Sequence, residues 1–306
     1  MTKSKDCEKK QAKRTTRLWE DTVVTTLRDM QWQEFCKSLH KKTAQEVEKA
    51  SNSFLSQGAV PPGFMKLDGN AESSLADVGL ATKNARYFLI EVKSEQKRIV
   101  DEWRKGSVFR PKKVYKRLAE AVKAYEGLDE KMMGATQFLP IKQSLQCHLF
   151  AYWRVVPHKE NALGGFVVAE PYLSGCIGQI GDHDRTQNDA IKNLPGIECH
   201  SLFDGSNGPV DPIFEAIKIF EASVRIVIHR EGIDPEVGNF GLRFTEFKSY
   251  VNYLCSKSEV DDIEHCPRPL HAVVLSTAGF YRVVSSTAHL AEILRVVSGF
   301  KRGGPS

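Results

Sequence analysis

The pattern of apolar and polar positions is sharpest between Leu75 and Lys93. Tyr87 to Val92 is apolar except for Glu91, which predicts a buried strand. Glu91 and Lys93 stand two residues apart, so on a strand they project from the same face. Leu75 to Ala81 is a second short apolar run, and it carries Asp77. Thr82, Lys83, Asn84 and Ala85 separate the two, with Asn84 suited to a left-handed turn position. A loop of Lys83-Asn84-Ala85, with Thr82 paired to Arg86, places Asp77 directly opposite Glu91. Opposed residues hold their Cβ atoms about 5 Å apart. Two carboxylates so close repel unless a proton or a cation stands between them, and oxygen ligands suit Mg²⁺.

On either side of this hairpin the period changes. From Leu18 the chain reads as helix. After Met30, the positions Trp32, Cys36, Leu39, Thr43, Val47, Ala50 and Phe54 recur at steps of three and four, as one amphipathic face. Glu46 points within that stripe and Glu48 away from it. Residues 56–70 hold Pro61-Pro62-Gly63 and Asp68-Gly69, a loop with turn chemistry. Beyond Lys93 a short helix is expected to end near Gly106. A longer one, Lys112 to Tyr125, buries Val114, Leu118, Ala121, Val122 and Tyr125 and turns Lys112, Lys113, Lys116 and Arg117 outward. Gln146 to Val156 and Gly165 to Ala169 read as strands. Asp211-Pro212 opens a helix carrying Ile213, Ile217, Phe220 and Val224. Phe244 to Leu254 reads as helix, 270–277 and 280–286 as strands, and 287–300 as a final helix. The fold class this implies is α/β, a mixed central sheet flanked by helices with additional C-terminal α/β elements. The expected division is a disordered basic arm over 1–16, a core domain over 17–205, and a C-terminal extension or second domain over 206–306.

Charge changes the picture once it is located. The chain has 306 residues and a formal net charge of +5. Residues 1–17 hold seven Lys/Arg against two Asp/Glu, and the remainder holds 36 of each sign. Within that neutral remainder, 93–117 holds ten basic residues against three acidic ones. Such blocks favour polyanions, which makes Lys97, Arg98, Lys112, Lys113, Lys116 and Arg117 the candidate nucleic-acid contacts. Trp103, Phe109 and Tyr115 interleave with them and read as core. No apolar run reaches the ~20 residues of a membrane span. The seven cysteines are scattered and odd in number, so a reducing cytoplasm is expected.

An acid opening one strand of a hairpin, followed by Glu-x-Lys in an apolar second strand, resembles the PD-(D/E)XK nuclease superfamily. The resemblance rests on about twenty residues, with Ala76 where the family often has proline. It implies a restriction-endonuclease-like core in which Asp77 and Glu91 hold Mg²⁺ (or Mn²⁺), together with the Val92 carbonyl. Lys93 would orient the attacking water, and Glu46 would supply an acid from the preceding helix. The other reading of Glu46 is a surface residue beside Lys42 or Lys49. The activity implied is metal-dependent hydrolysis of DNA phosphodiester bonds, of the kind used in genome defence or repair, with a homo-oligomer or partner protein possible. The competing reading is a non-catalytic nucleic-acid-binding or scaffolding subunit on the same fold. As the end of a strand, Lys93 is expected to hold its ammonium in a cleft and not in the core.

Other chemistry finds less support. The dipeptides Cys147-His148, Cys199-His200 and His265-Cys266 lack the spacing of a zinc site. Neither a phosphate-binding Gly-Lys-Ser/Thr loop nor a Gly-x-Ser-x-Gly elbow occurs.

Overall fold

The structure is a computed structural model. It describes residues 19–39, 63–67, 72, 74–82, 84–126, 135–157, 163–180, 199–203, 209–210, 213–221, 224–230, 233–256, 269–275 and 281–290. Its first element is α1, Glu20–Leu39, with Glu20 and Asp21 in the first turn and Lys37 in the last, an order that suits the helix dipole. Its buried positions are Val23, Leu27 and Gln31, four apart, and Gln31 Nε2 donates to the Ala81 carbonyl at 3.1 Å. The expected stripe through Trp32 and Cys36 is therefore corrected: Trp32 is half-buried and Cys36 exposed. Glu46 lies outside the described residues.

Three strands follow: β1 (Phe64–Lys66), β2 (Val78–Ala81) and β3 (Tyr87–Lys93). They pair in antiparallel order, and β2 meets β3 with Val78 opposite Ile90 and Ala81 opposite Tyr87. The Thr82 N–H donates to the Arg86 carbonyl at 2.8 Å, so the hairpin has the three-residue loop expected of it. Ala85, and not Asn84, takes the left-handed position, with φ 53°. In a three-residue hairpin loop that conformation falls on the last residue.

A 3₁₀ segment, Gln96–Glu102, replaces the expected short helix, and a small hairpin of β4 (Arg104–Lys105) and β5 (Val108–Phe109) turns at Gly106. Then come α2 (Lys113–Glu126), α3 (Ala135–Cys147), β6 (His148–Pro157), β7 (Leu163–Pro171) and α4 (Tyr172–Gln179). The five positions expected to be apolar on α2 are all buried. Gln146 and Cys147 finish α3, so the strand begins at His148 and not at Gln146.

Farther on are β8 (Cys199–Phe203), β9 (Pro209–Val210) and β10 (Phe214–Glu215), which runs into a 3₁₀ segment, Ala216–Phe220. The helix expected from Asp211 is thus replaced by a strand and a 3₁₀ turn. The last elements are β11 (Arg225–Arg230), β12 (Ile233–Asn239), α5 (Phe244–Cys255), β13 (Pro269–Leu275) and β14 (Tyr281–Ser286).

The central sheet has the order β1-β2-β3-β6-β7-β10. It is mixed: β6 runs parallel to β3 and every other neighbouring pair is antiparallel. Parallel neighbours need a long crossover, and here it carries the first 3₁₀ segment, the small hairpin, α2 and α3. Helices α1, α3, α4 and α5 pack against the central strands. The fold is a mixed α/β sheet flanked by helices. Residues after 205 enter the same sheet through β10, and Tyr87 on β3 exchanges backbone hydrogen bonds with Leu242.

Candidate active site

Continued one pair beyond Val78 and Ile90, the hairpin register sets Asp77 opposite Glu91. Asp77 stands at the mouth of β2, and its Oδ2 accepts the Val92 N–H at 2.6 Å. Its carboxylate thereby prolongs the β2–β3 ladder with a side chain.

Strand alternation puts Glu91 and Lys93 on one face, with Phe150 and Tyr152 beside them on β6 and Glu170 beyond on β7. This face is covered. The Tyr172 ring stacks on both Phe150 and His148, each at 4.5 Å between centroids. Tyr250 of α5 reaches His148 Nδ1 with its hydroxyl at 3.0 Å. Glu91 is 0% exposed and Lys93 4%, so the ammonium of Lys93 is buried and does not lie in an open cleft. A strand end can be interior when the crossover folds back over it, and here it does.

The crossover supplies Glu102 and Lys112. Lys93 Nζ lies 2.6 Å from Glu91 Oε1 and 2.7 Å from Glu102 Oε1, while Lys112 Nζ lies 2.5 and 3.0 Å from the same two oxygens. Two ammoniums and two carboxylates alternate around a closed ring. Tyr172 donates its hydroxyl to Glu102 Oε2 at 2.8 Å, and the Lys112 N–H donates to the Glu102 carbonyl at 2.8 Å.

The electrostatics follow from this geometry. Burial raises the Asp77 carboxyl, Glu91 adds to the shift, and the pKa stands at about 8 against the pull of Lys93, the Val92 N–H and Lys112. Burial also opposes charge on Glu91, but the two lysines outweigh it and bring its pKa down to about 2. Glu102 is shifted upward by burial and by Glu91 despite the same lysines. Lys93 is held well above the usual lysine range, because Glu91 and Glu102 overcome its burial. It is an ammonium at neutral pH and cannot serve as a base. His148 is lowered to about 3, chiefly by burial, and stays neutral.

Oxygen donors alone make a hard-cation set. Glu91 Oε2 is buried and accepts no hydrogen bond among the described residues, an orphan of the kind a cation would satisfy. Among the described residues no three acidic, histidine or cysteine side chains stand ready-arranged around a metal position; the lysines hold Glu91 and Glu102 against each other instead. The donors suit Mg²⁺.

The expected nucleic-acid contacts divide. Lys97 pairs with Glu95 and Arg98 with Asp101. Lys112 belongs to the ring and not to an outer face. Arg117 is also not outward: it is buried, bonds the Tyr253 carbonyl and Ser256 Oγ, pairs with Glu120 and lies over the Tyr253 ring. Lys113 and Lys116 are exposed as expected. Trp103 and Tyr115 are core, their rings 5.4 Å apart.

Glu102 was not foreseen. Its signal is its spacing from Ile99: residues three apart eclipse on a 3₁₀ helix, and Ile99 is buried. Compared with protein-family models, curated proteins and solved structures, the chain matches none.

Proposed function

We propose that this protein is a metal-dependent nuclease that hydrolyses DNA phosphodiester bonds. The observation that carries the reading is the hairpin register, which opposes Asp77 to Glu91 and buries Lys93 on the face of Glu91. Buried charge this concentrated costs stability, and strongly displaced acids mark sites with work to do. Asp77, Glu91 and the Val92 carbonyl would hold Mg²⁺ or Mn²⁺. When bound there, the cation supplies Lewis-acid polarisation of the phosphate and neutralises charge on the attacking and leaving oxygens.

The chain's own groups do the rest. Lys93, fixed by Glu91 and Glu102, presents a permanent positive charge that orients a water and favours its developing hydroxide. Glu102 holds Lys93 in place and is itself held by Tyr172. In the reaction, water oxygen bonds to phosphorus, the ester P–O bond breaks, and the departing oxygen takes a proton. Interactions made only as that charge develops raise the rate without tightening ground-state binding.

One observation favours the competing reading of a non-catalytic binding subunit: Lys93 and Lys112 each pair with both Glu91 Oε1 and Glu102 Oε1. The two readings separate on plasmid, linear and single-stranded DNA, each with Mg²⁺ or with EDTA. Cleavage is expected with Mg²⁺ alone and is expected to vanish in Asp77→Asn, which keeps an acceptor for the Val92 N–H and so isolates the charge. A wild-type protein that cleaves none of the three, and whose melting temperature ignores Mg²⁺, overturns the nuclease reading.

A further inference from the structure

We propose that Glu91 and Glu102 form a cation-exchange site, in which a divalent cation takes the place of the Lys112 ammonium and Lys112 moves to the rim as a contact for substrate phosphate. The inference rests on the metal-dependent reading above. It adds a ligand, Glu102, and a second role for a residue that the sequence placed elsewhere.

The geometry singles out Lys112. Glu91 Oε1 and Glu102 Oε1 converge on two points, one filled by each lysine. The two ammoniums are not equivalent. Lys93 belongs to a strand paired on both sides, by β2 and by β6, and its side chain is 5% exposed. Lys112 lies between Pro111 and the first residue of α2, and its side chain is 29% exposed. Its backbone is anchored by the bond to the Glu102 carbonyl. The ammonium can therefore swing out on its four-carbon stem while the main chain stays in place.

Charge gives the exchange its sense. With Lys112 in place, two carboxylates face two ammoniums. Without it, Glu91 and Glu102 face Lys93 alone, with the Asp77 carboxyl beside them. A small divalent ion meets that deficit with oxygen ligands. The buried, unpartnered Glu91 Oε2 is a further donor already turned inward. The expelled ammonium would stand in solvent at the start of α2, next in the chain to the exposed Lys113. A lysine released to solvent there suits a phosphate. Lys112 then keeps the metal-free ring closed and marks it as loaded when it leaves. No covalent bond changes in the exchange.

The test uses the full chain with Mn²⁺ as the probe. Binding is read by electron paramagnetic resonance, so no cleavage is needed. Lys112→Gln should bind Mn²⁺ about tenfold more tightly than wild type, equivalent to ~1.4 kcal/mol, because no ammonium has to be displaced. Lys112→Arg keeps a cation on the ring and should show no such gain. In wild type, Mn²⁺ should raise the reactivity of the Lys112 amine to reductive methylation, read residue by residue by mass spectrometry, while Lys93 stays shielded. This second readout decides the matter if Lys112→Gln does not fold. Equal Mn²⁺ affinity in wild type and Lys112→Gln, or unchanged Lys112 reactivity in Mn²⁺-bound wild type, overturns the exchange and leaves the metal reading standing. Failure of folded wild type and variant alike to bind Mn²⁺ overturns both.

Discussion

The two faces of the central sheet are built by the same strands and differ in kind. One face carries Phe88, Ile90 and Val92 on β3, Leu149 and Ala151 on β6, and Val167 and Ala169 on β7, all buried and all apolar. The other, one residue out of step, carries Glu91, Lys93, Phe150, Tyr152 and Glu170, with Glu102, His148 and Tyr172 around them. The apolar face is held by burial, at roughly 25 cal/mol per Å² removed from water. The charged face is held by mutual compensation, which desolvation makes inefficient. Burying Lys93 with Glu91, Glu102 and Glu170 on one side adds little to the stability of a sheet. The difference points to use, and it also makes the two faces fail differently.

The largest expected effect separates them. Glu91→Gln leaves Lys93 buried with half its compensation and should cost about 3–5 kcal/mol, with loss of Mn²⁺ binding. Ile90→Ala, one residue away on the apolar face, should cost about 2–4 kcal/mol as a cavity and leave Mn²⁺ affinity unchanged. Chemical denaturation and metal titration of both proteins check this. If Glu91→Gln proves no more destabilising than a surface substitution, the ring is not the strained half of the sheet.

A smaller effect lies in the pH dependence. Asp77 has its folded pKa raised from 3.8 to about 8, so across that window the folded state holds a proton that the unfolded state has lost. The metal-free protein should therefore lose stability as pH rises through the window. Asp77→Asn should remove that part of the slope. Melting temperatures in EDTA from about pH 5 to pH 8.5 give the comparison, and parallel slopes for the two proteins would place the Asp77 carboxyl in water.

The smallest effect sharpens the register itself. Ala85 occupies the left-handed region at φ 53°, which a β-carbon makes costly. Ala85→Gly should stabilise the hairpin by about 1 kcal/mol without altering Mn²⁺ binding. A loss of stability would show that the loop conformation is not limiting.

Much of the site's first half was legible because it is local. The three-residue loop sets the register, and alternation sets the face, so Asp77, Glu91 and Lys93 could be placed from nineteen residues of sequence. The other half was not legible. Glu102 and Lys112 reach the ring through a crossover whose path is fixed by the parallel pairing of β3 with β6. Lys112 was assigned to a helical outer face, yet α2 begins one residue later, and the ammonium of Lys112 reaches Glu91 and Glu102. Arg117 offered a clue: at 100° per residue it falls only about 60° from buried Val114, at the stripe's edge. Its partners Tyr253 and Ser256 lie 136 and 139 residues away, beyond the reach of any periodicity. Burial of the ring depends likewise on Tyr172 and Tyr250, which no local pattern connects to Glu91.

The parallel pairing of β3 with β6 also sets an order of events in time. Asp77, Glu91 and Lys93 leave the ribosome close together, and the hairpin that opposes Asp77 to Glu91 can form within microseconds. Glu102 and Lys112 follow soon after, but their place in the ring depends on the long crossover being closed by β6, and long-range pairing of this kind is slow. The α5 contact is synthesised later still, because Tyr250 reaches His148 across 102 residues. For much of its birth the nascent chain therefore holds its acids and lysines in open water, where their charges cost nothing. Dehydration of the ring requires Tyr172 and Tyr250 in place as well as the hairpin.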